Sequence, residues 1–223
     1  MDIWELMKNR HAVRRYTGRP IEAEAVSALE GCIEEGNREG NLHMQLCLDE
    51  PKAFGSGLHR YGLFRGVRNY IALVGGEAPD LDRRCGYYGE RVVLEAARLG
   101  LNTCWVGLTY AKGKTACRVD PGERLCCVIA VGYGETQGMP HKVKPLEILG
   151  QADGGSFPDW FRQGLEAAQL APTALNQQKF RFILHGDRVE AQAGNGSYTH
   201  VDLGIAQCHF ELASPPENWR WME

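Results

Sequence analysis

One local pattern occurs twice in this 223-residue chain. Leu29-Glu30-Gly31-Cys32 lies in an amphipathic stretch that passes through a Gly/Asn turn into an apolar segment from Leu42. Leu165-Glu166-Ala167-Ala168 lies in a second one, which passes through a Pro/Asn turn into the segment from Phe180. A helical pattern around Leu94 then has a counterpart around Leu203, each after an aromatic and glycine-containing approach. Between the two units runs 150–156, with Gly154-Gly155, which reads as an internal linker. The expected division is therefore 1–149 and a shorter 150–223. Shared identities are few, so true duplication and the shared patterning of any two helix–turn–strand units both account for the likeness.

Periodicity places helices at 3–8, 20–35, 88–99, 160–170 and 201–212, with Gly100 as a C-cap of the third. The 37–41 run of Gly and Asn forces a turn. Strands are expected at 42–48, at Tyr70-Ile71-Ala72-Leu73-Val74 before Gly75-Gly76, and at 125–131 and 180–185, with a further buried segment at 103–108. Helices mixed with short apolar strands indicate an α+β or α/β domain.

No apolar run approaches the roughly 20 residues that span a bilayer. The first residues alternate charge with apolar side chains and lack a signal-peptide core, so a cytoplasmic protein is expected. A net charge of -3 gives no general attraction to nucleic acid or to an anionic membrane. Of eight cysteines, Cys32, Cys47, Cys104, Cys126, Cys127 and Cys208 lie in apolar segments, where they are expected as reduced, buried thiols. The absence of a Cys-x-x-Cys pair argues against a zinc site.

Two stretches carry chemistry. Arg10-His11-Ala12-Val13-Arg14-Arg15-Tyr16 gathers cationic side chains, and guanidinium groups supply the paired donors a phosphate needs. More than 150 residues later, Ala171-Pro172-Thr173-Ala174-Leu175-Asn176-Gln177-Gln178-Lys179-Phe180 is a small polar turn running into a strand. Between them, His141-Lys142-Val143-Lys144-Pro145 is a basic segment, and Gly100-Leu101-Asn102-Thr103-Cys104-Trp105-Val106-Gly107 follows the clearest helix. Taken singly, each has a plainer reading: a solvated basic loop, amides bonding local backbone, a core tryptophan. No Gly-x-Gly-x-x-Gly or phosphate-binding lysine loop occurs in the required context, and Gly55-Ser56-Gly57 does not supply one.

Together these motifs resemble those of the nitroreductase family of flavoenzymes, over most of the chain. The closest likeness is to a branch in which a single chain carries two unequal copies of the half-site. The resemblance implies an α+β nitroreductase-like fold, a mixed or antiparallel sheet flanked by helices, built as a pseudo-dimer in one chain. It implies flavin mononucleotide (FMN) as cofactor and NADH or NADPH as transient hydride donor to a small nitroaromatic or quinone-like acceptor. Arg10, His11 and Arg14, with Lys142 and Lys144, match the phosphate-binding positions; Ala12 stands where a hydroxyl donor is usual. Pro172, Thr173, Ala174, Asn176 and Gln178 match the turn that faces the flavin ring. Trp105 and Gly107 belong to the segment whose backbone lies beside the flavin, and Arg65 stands where a polar residue approaches the ring. No side-chain acid, base or nucleophile is nominated, because the cofactor performs the chemistry. A flavin-binding storage or sensing module without turnover is the alternative; nucleic acid is disfavoured, because the arginines lack an interleaved aromatic platform. The active form is expected as a monomeric pseudo-dimer or a homodimer.

Overall fold

A computed structural model of the protein describes residues 2–55 and 64–222. Ser56 and Gly57 of the Gly-Ser-Gly run lie outside the described residues. The chain is α+β, and its strands form two four-stranded sheets. The first holds β1 (Gln45–Cys47), β2 (Asn69–Gly76), β3 (Asn102–Val106) and β4 (Glu123–Gly132), antiparallel throughout, in the order β1-β2-β4-β3. The second holds β5 (Gly150–Ala152), β6 (Phe180–His185), β7 (Arg188–Ala193) and β8 (Arg220–Trp221) in sequence order, with the central pair antiparallel and both outer pairs parallel.

Alternation explains why β2 and β4 read as continuous apolar runs. Ile71, Leu73, Ile129 and Val131 face one core, and Tyr70, Ala72, Val74, Val128 and Ala130 face a second, under Tyr16, Phe54, Val67 and Tyr110. A bulge at Leu73/Val74 leaves Cys126 without a partner across the ladder. All eight cysteines are free thiols.

The described α-helices are α1 (Ile3–Asn9), α2 (Ala23–Gly40), α3 (Leu81–Arg98), α4 (Leu146–Leu149), α5 (Asp159–Ala168) and α6 (Thr199–Ala213). Helix α3 packs on the first sheet, α6 on the second, and the two helices cross each other. Glycines set how closely: a Cβ at Gly204 would lie 2.0 Å from Arg83 O, and one at Gly86 2.1 Å from Val201 O. The main hydrophobic core runs continuously through both halves, from Leu29 and Ile71 to Phe182 and Phe210.

Several boundaries differ from expectation. Helix α2 starts after Pro20 and continues through the supposed turn to Gly40, stopping at Asn41 in the left-handed region (φ 47°). Helix α3 begins seven residues before position 88, where its small and charged first turns hide the apolar stripe. Strand pairing begins only at Gln45, with Leu42 making an isolated bridge to Gly75. The linker expected from Gly150 opens instead as β5, parallel to Phe182–Leu184. Gly150 is buried there because Leu165 packs into the space a side chain would need. Strand β7, not anticipated, follows β6 through a two-residue Gly186-Asp187 turn with Gly186 at φ 64°. Among the described residues no helix is long and apolar enough to cross a membrane.

Candidate cofactor site

The cationic stretch crosses the end of the first sheet. Val13 N donates to Thr103 O at 3.0 Å, Thr17 N to Tyr133 O at 2.9 Å, and Tyr16 N to Arg65 O at 2.9 Å, while Arg65 N donates to Arg14 O. These bonds set Arg10, Ala12 and Arg14 beside β3 and bring Arg65 alongside them. Arg14 and Arg65 are exposed and make no side-chain hydrogen bond or ion pair among the described residues. Arg10 is different. Its side chain is 4% exposed, its Nε lies 3.7 Å from Glu90 Oε1, and that Nε has no hydrogen-bond partner.

His11 is half-buried. Burial first, then the charges of Arg10 and His141, push its imidazole below the ordinary value. That shift favours the uncharged ring over the possible cation read from the sequence.

The basic segment carries the connection onward. Gly138 lies against His11, where an added Cβ would stand 2.7 Å from His11 Cβ, and its positive φ (76°) favours glycine. His141 Nε2 bonds Gln169 O at 2.9 Å. Lys142 O accepts from Asn176 Nδ2 and Gln178 Nε2, both at 2.8 Å, and Lys144 N donates to Gln178 Oε1 at 2.8 Å. The Lys144 ammonium is spent on Gln177 O and Gln178 O, at 2.8 and 3.0 Å. The Lys142 side chain is exposed and makes no such contact among the described residues. One short segment therefore touches the early cationic motif at one end and grips the late polar turn at the other.

The turn is strained and internally braced. Leu175, Asn176 and Gln178 all take positive φ, at 52°, 53° and 43°. Gln178 N donates to Thr173 Oγ1, and Gln178 Nε2 to Asn176 Oδ1. Asp202, a residue the sequence did not single out, accepts from Ala174 N at 2.9 Å and from Gln177 Nε2 at 2.7 Å. Burial raises the Asp202 carboxyl to about 6 against the opposing pull of those two donors. The amides of Asn176 and Gln178 thus hold the turn together, while Asn176 remains exposed with a second amide hydrogen not used among the described residues, beside the half-buried Pro172, Thr173 and Ala174.

On the remaining side, Trp105 Nε1 donates to Glu90 Oε2 at 2.9 Å, a core contact. Gly107 does permit a close approach, and the group that makes it is Tyr198. A Cβ at Gly107 would fall 2.5 Å from that ring, whose hydroxyl donates to Gly107 O at 2.7 Å.

Glu90 and His209 also escaped the sequence reading. Glu90 is a buried carboxyl among the apolar residues of α3, His209 shares α6 with the buried Asp202 and Gln207, and 119 residues separate the pair.

Two pockets flank the site. One of about 210 Å³ is lined by Arg10, His11, Asn9, Asn102, Thr103 and Gln137 together with apolar groups of α1 and α3. A larger one of about 470 Å³ takes in Arg65, Phe54 and Phe64 but no residue of the basic segment or the turn. The smaller pocket likewise includes no residue of 141–144 or of the turn; it borders the site at Arg10 and His11.

As a receptor for FMN, the phosphate end fits. An orphaned buried donor on Arg10 and the unpaired cations of Arg14 and Lys142 are the donor set a dianion requires.

Comparison with known proteins places the chain. The family described as "Putative TM nitroreductase" matches residues 2–214, and the chain belongs to that family. A crystal structure from Thermotoga maritima described as a "putative nitroreductase" superposes with a TM-score of 0.67 at 23% identity, covering 96% of this chain and 83% of that one. A Parabacteroides distasonis protein described as a "Putative NADH dehydrogenase/NAD(P)H nitroreductase" gives 0.51 at 19% identity, over 65% of this chain and 94% of that one. A Desulfovibrio desulfuricans protein described as a "putative nitroreductase", solved in complex with FMN, gives 0.50 at 18% identity, over 66% and 94%. These likenesses establish a nitroreductase fold. None of the curated proteins matches the chain.

Proposed function

We propose that the protein is an FMN-dependent oxidoreductase that takes hydride from NADH or NADPH and delivers it to a small electrophilic acceptor, of nitroaromatic or quinone type. The observation that carries this reading is the segment 138–144, which lies against His11 at one end and is bonded to Asn176 and Gln178 at the other. It joins two motifs that are more than 150 residues apart into one region of the surface. Arg10, Arg14 and Lys142 would hold the phosphate, and Pro172, Thr173 and Ala174 would border the ring, with Arg65 available to its polar edge. When bound, the flavin supplies reversible two-electron chemistry; the protein's part is to bind and orient it. A relative of the same fold binds FMN, which supports the assignment. Eight free thiols suit a reducing compartment such as the cytoplasm.

Two observations favour a second reading, a flavin-holding module without turnover. Tyr198 occupies the approach to Gly107, and the turn's amides are already bonded. Titration with FMN followed by anaerobic addition of NADH or NADPH separates the two. Bleaching of the bound flavin's visible absorbance, and its recovery with a quinone, is the expected result. Flavin that binds but stays oxidised selects the module, and protein that takes up no FMN removes both readings.

A further inference from the structure

Arg10 is buried beside a proton-rich cluster that crosses the α3–α6 contact. His209, fully buried on α6, has two acceptors: Ala167 O lies 3.1 Å from Nδ1 and Glu90 Oε1 lies 2.9 Å from Nε2. A carbonyl oxygen can only accept, so Nδ1 carries hydrogen. A second proton must lie between Nε2 and the Glu90 carboxylate, because two facing lone pairs would repel at that distance. Glu90 and His209 together are therefore neutral, whichever of them holds that proton. The guanidinium of Arg10 adds one positive charge that no described neighbour cancels. Glu90 is further fixed by Trp105, whose Nε1 takes up its other oxygen. With that proton held on His209, Glu90 is a carboxylate that steadies Arg10 through charge at 3.7 Å, too far to take up a guanidinium hydrogen. A buried excess charge with unused donors is costly unless an anion completes it.

We propose that Glu90, fixed by His209 and Trp105, is a positioning residue that holds Arg10 ready for a phosphate group in the adjoining pocket of about 210 Å³. This rests on the FMN reading for the identity of the anion, not for the anion's existence. Glu90→Gln keeps the side chain's shape and can still bond His209 and Trp105, but removes the charge that steadies Arg10. His209→Gln removes the second proton, so that Glu90 neutralises Arg10.

The test compares Kd for FMN with Kd for riboflavin, which lacks the phosphate, in the wild type and both variants, alongside thermal unfolding without flavin. The expected result is FMN affinity weakened on the order of tenfold, the scale of one charge-assisted bond, with riboflavin affinity unchanged. Equal losses for both flavins would mean a merely structural role, and unchanged FMN affinity in Glu90→Gln would overturn the proposal. If the wild type takes up neither flavin, the FMN reading fails and inorganic phosphate decides instead. A rise in wild-type Tm with phosphate over chloride at equal ionic strength, lost in Glu90→Gln, sustains the proposal, and no difference between the salts ends it.

Discussion

A carboxyl group closes the polar turn at 172–178, and its protonation gives that turn a pH dependence. Asp202 is raised to about 6 by burial, well above the value of 3.8 for a free aspartate. Its proton is therefore bound more tightly in the fold than in the unfolded chain. The resulting stability is complete below about pH 4 and is lost as pH rises through 6, a difference on the order of 2–3 kcal/mol. Asp202→Asn removes that loss, so its Tm relative to wild type should increase between pH 5 and pH 8. Parallel Tm-against-pH curves for the two proteins would contradict the assignment. Among single residues, the arginines and the proline–asparagine turn were legible in the sequence because their types are unusual and clustered. Asp202, Glu90 and His209 were not, since each gains its meaning from partners at least 15 residues away.

At the scale of elements, the crossing of α3 and α6 has no slack. Adding one methyl at Gly204 places it 2.0 Å from the Arg83 carbonyl, so the helices must separate or the backbone must bend. Gly204→Ala should cost about 3 kcal/mol in urea unfolding. Gly31→Ala is the control: it sits exposed in α2 with nothing within 4 Å, and should stabilise by about 0.5 kcal/mol. Similar effects at the two sites would show that the crossing is looser than its distances imply. Helices and the two long strands were readable because α2, α3, β2 and β4 carry strong apolar patterns. Strand β7 was hidden because its alternation, Arg188-Val189-Glu190-Ala191-Gln192-Ala193, uses alanine and polar residues on a half-exposed face. Its signal was the Gly-Asp turn before it, where glycine supplies the positive φ.

For the whole molecule, we propose units at 1–149 and 150–223, each owning one sheet but sharing the main core. The core passes without a break from Leu29, Ile71 and Val93 to Leu165, Phe182 and Phe210, and the Glu90–His209 bond spans both units inside it. Urea unfolding followed by tryptophan fluorescence and by far-UV circular dichroism should therefore give coincident single transitions. Two separated transitions would show that the units hold their cores independently. The internal likeness suggested two units, while strand β5 was read as a linker because it is only three residues long and its apolar content is slight.

The stretch 138–144 acts as a ruler between the two grips it connects. Six peptide steps reach at most about 20 Å, so the spacing between the arginine corner and the braced turn is written in the chain's own covalent length. In an assembly of separate subunits that gauge would depend on how two surfaces dock. Here a single inserted or deleted residue resets it.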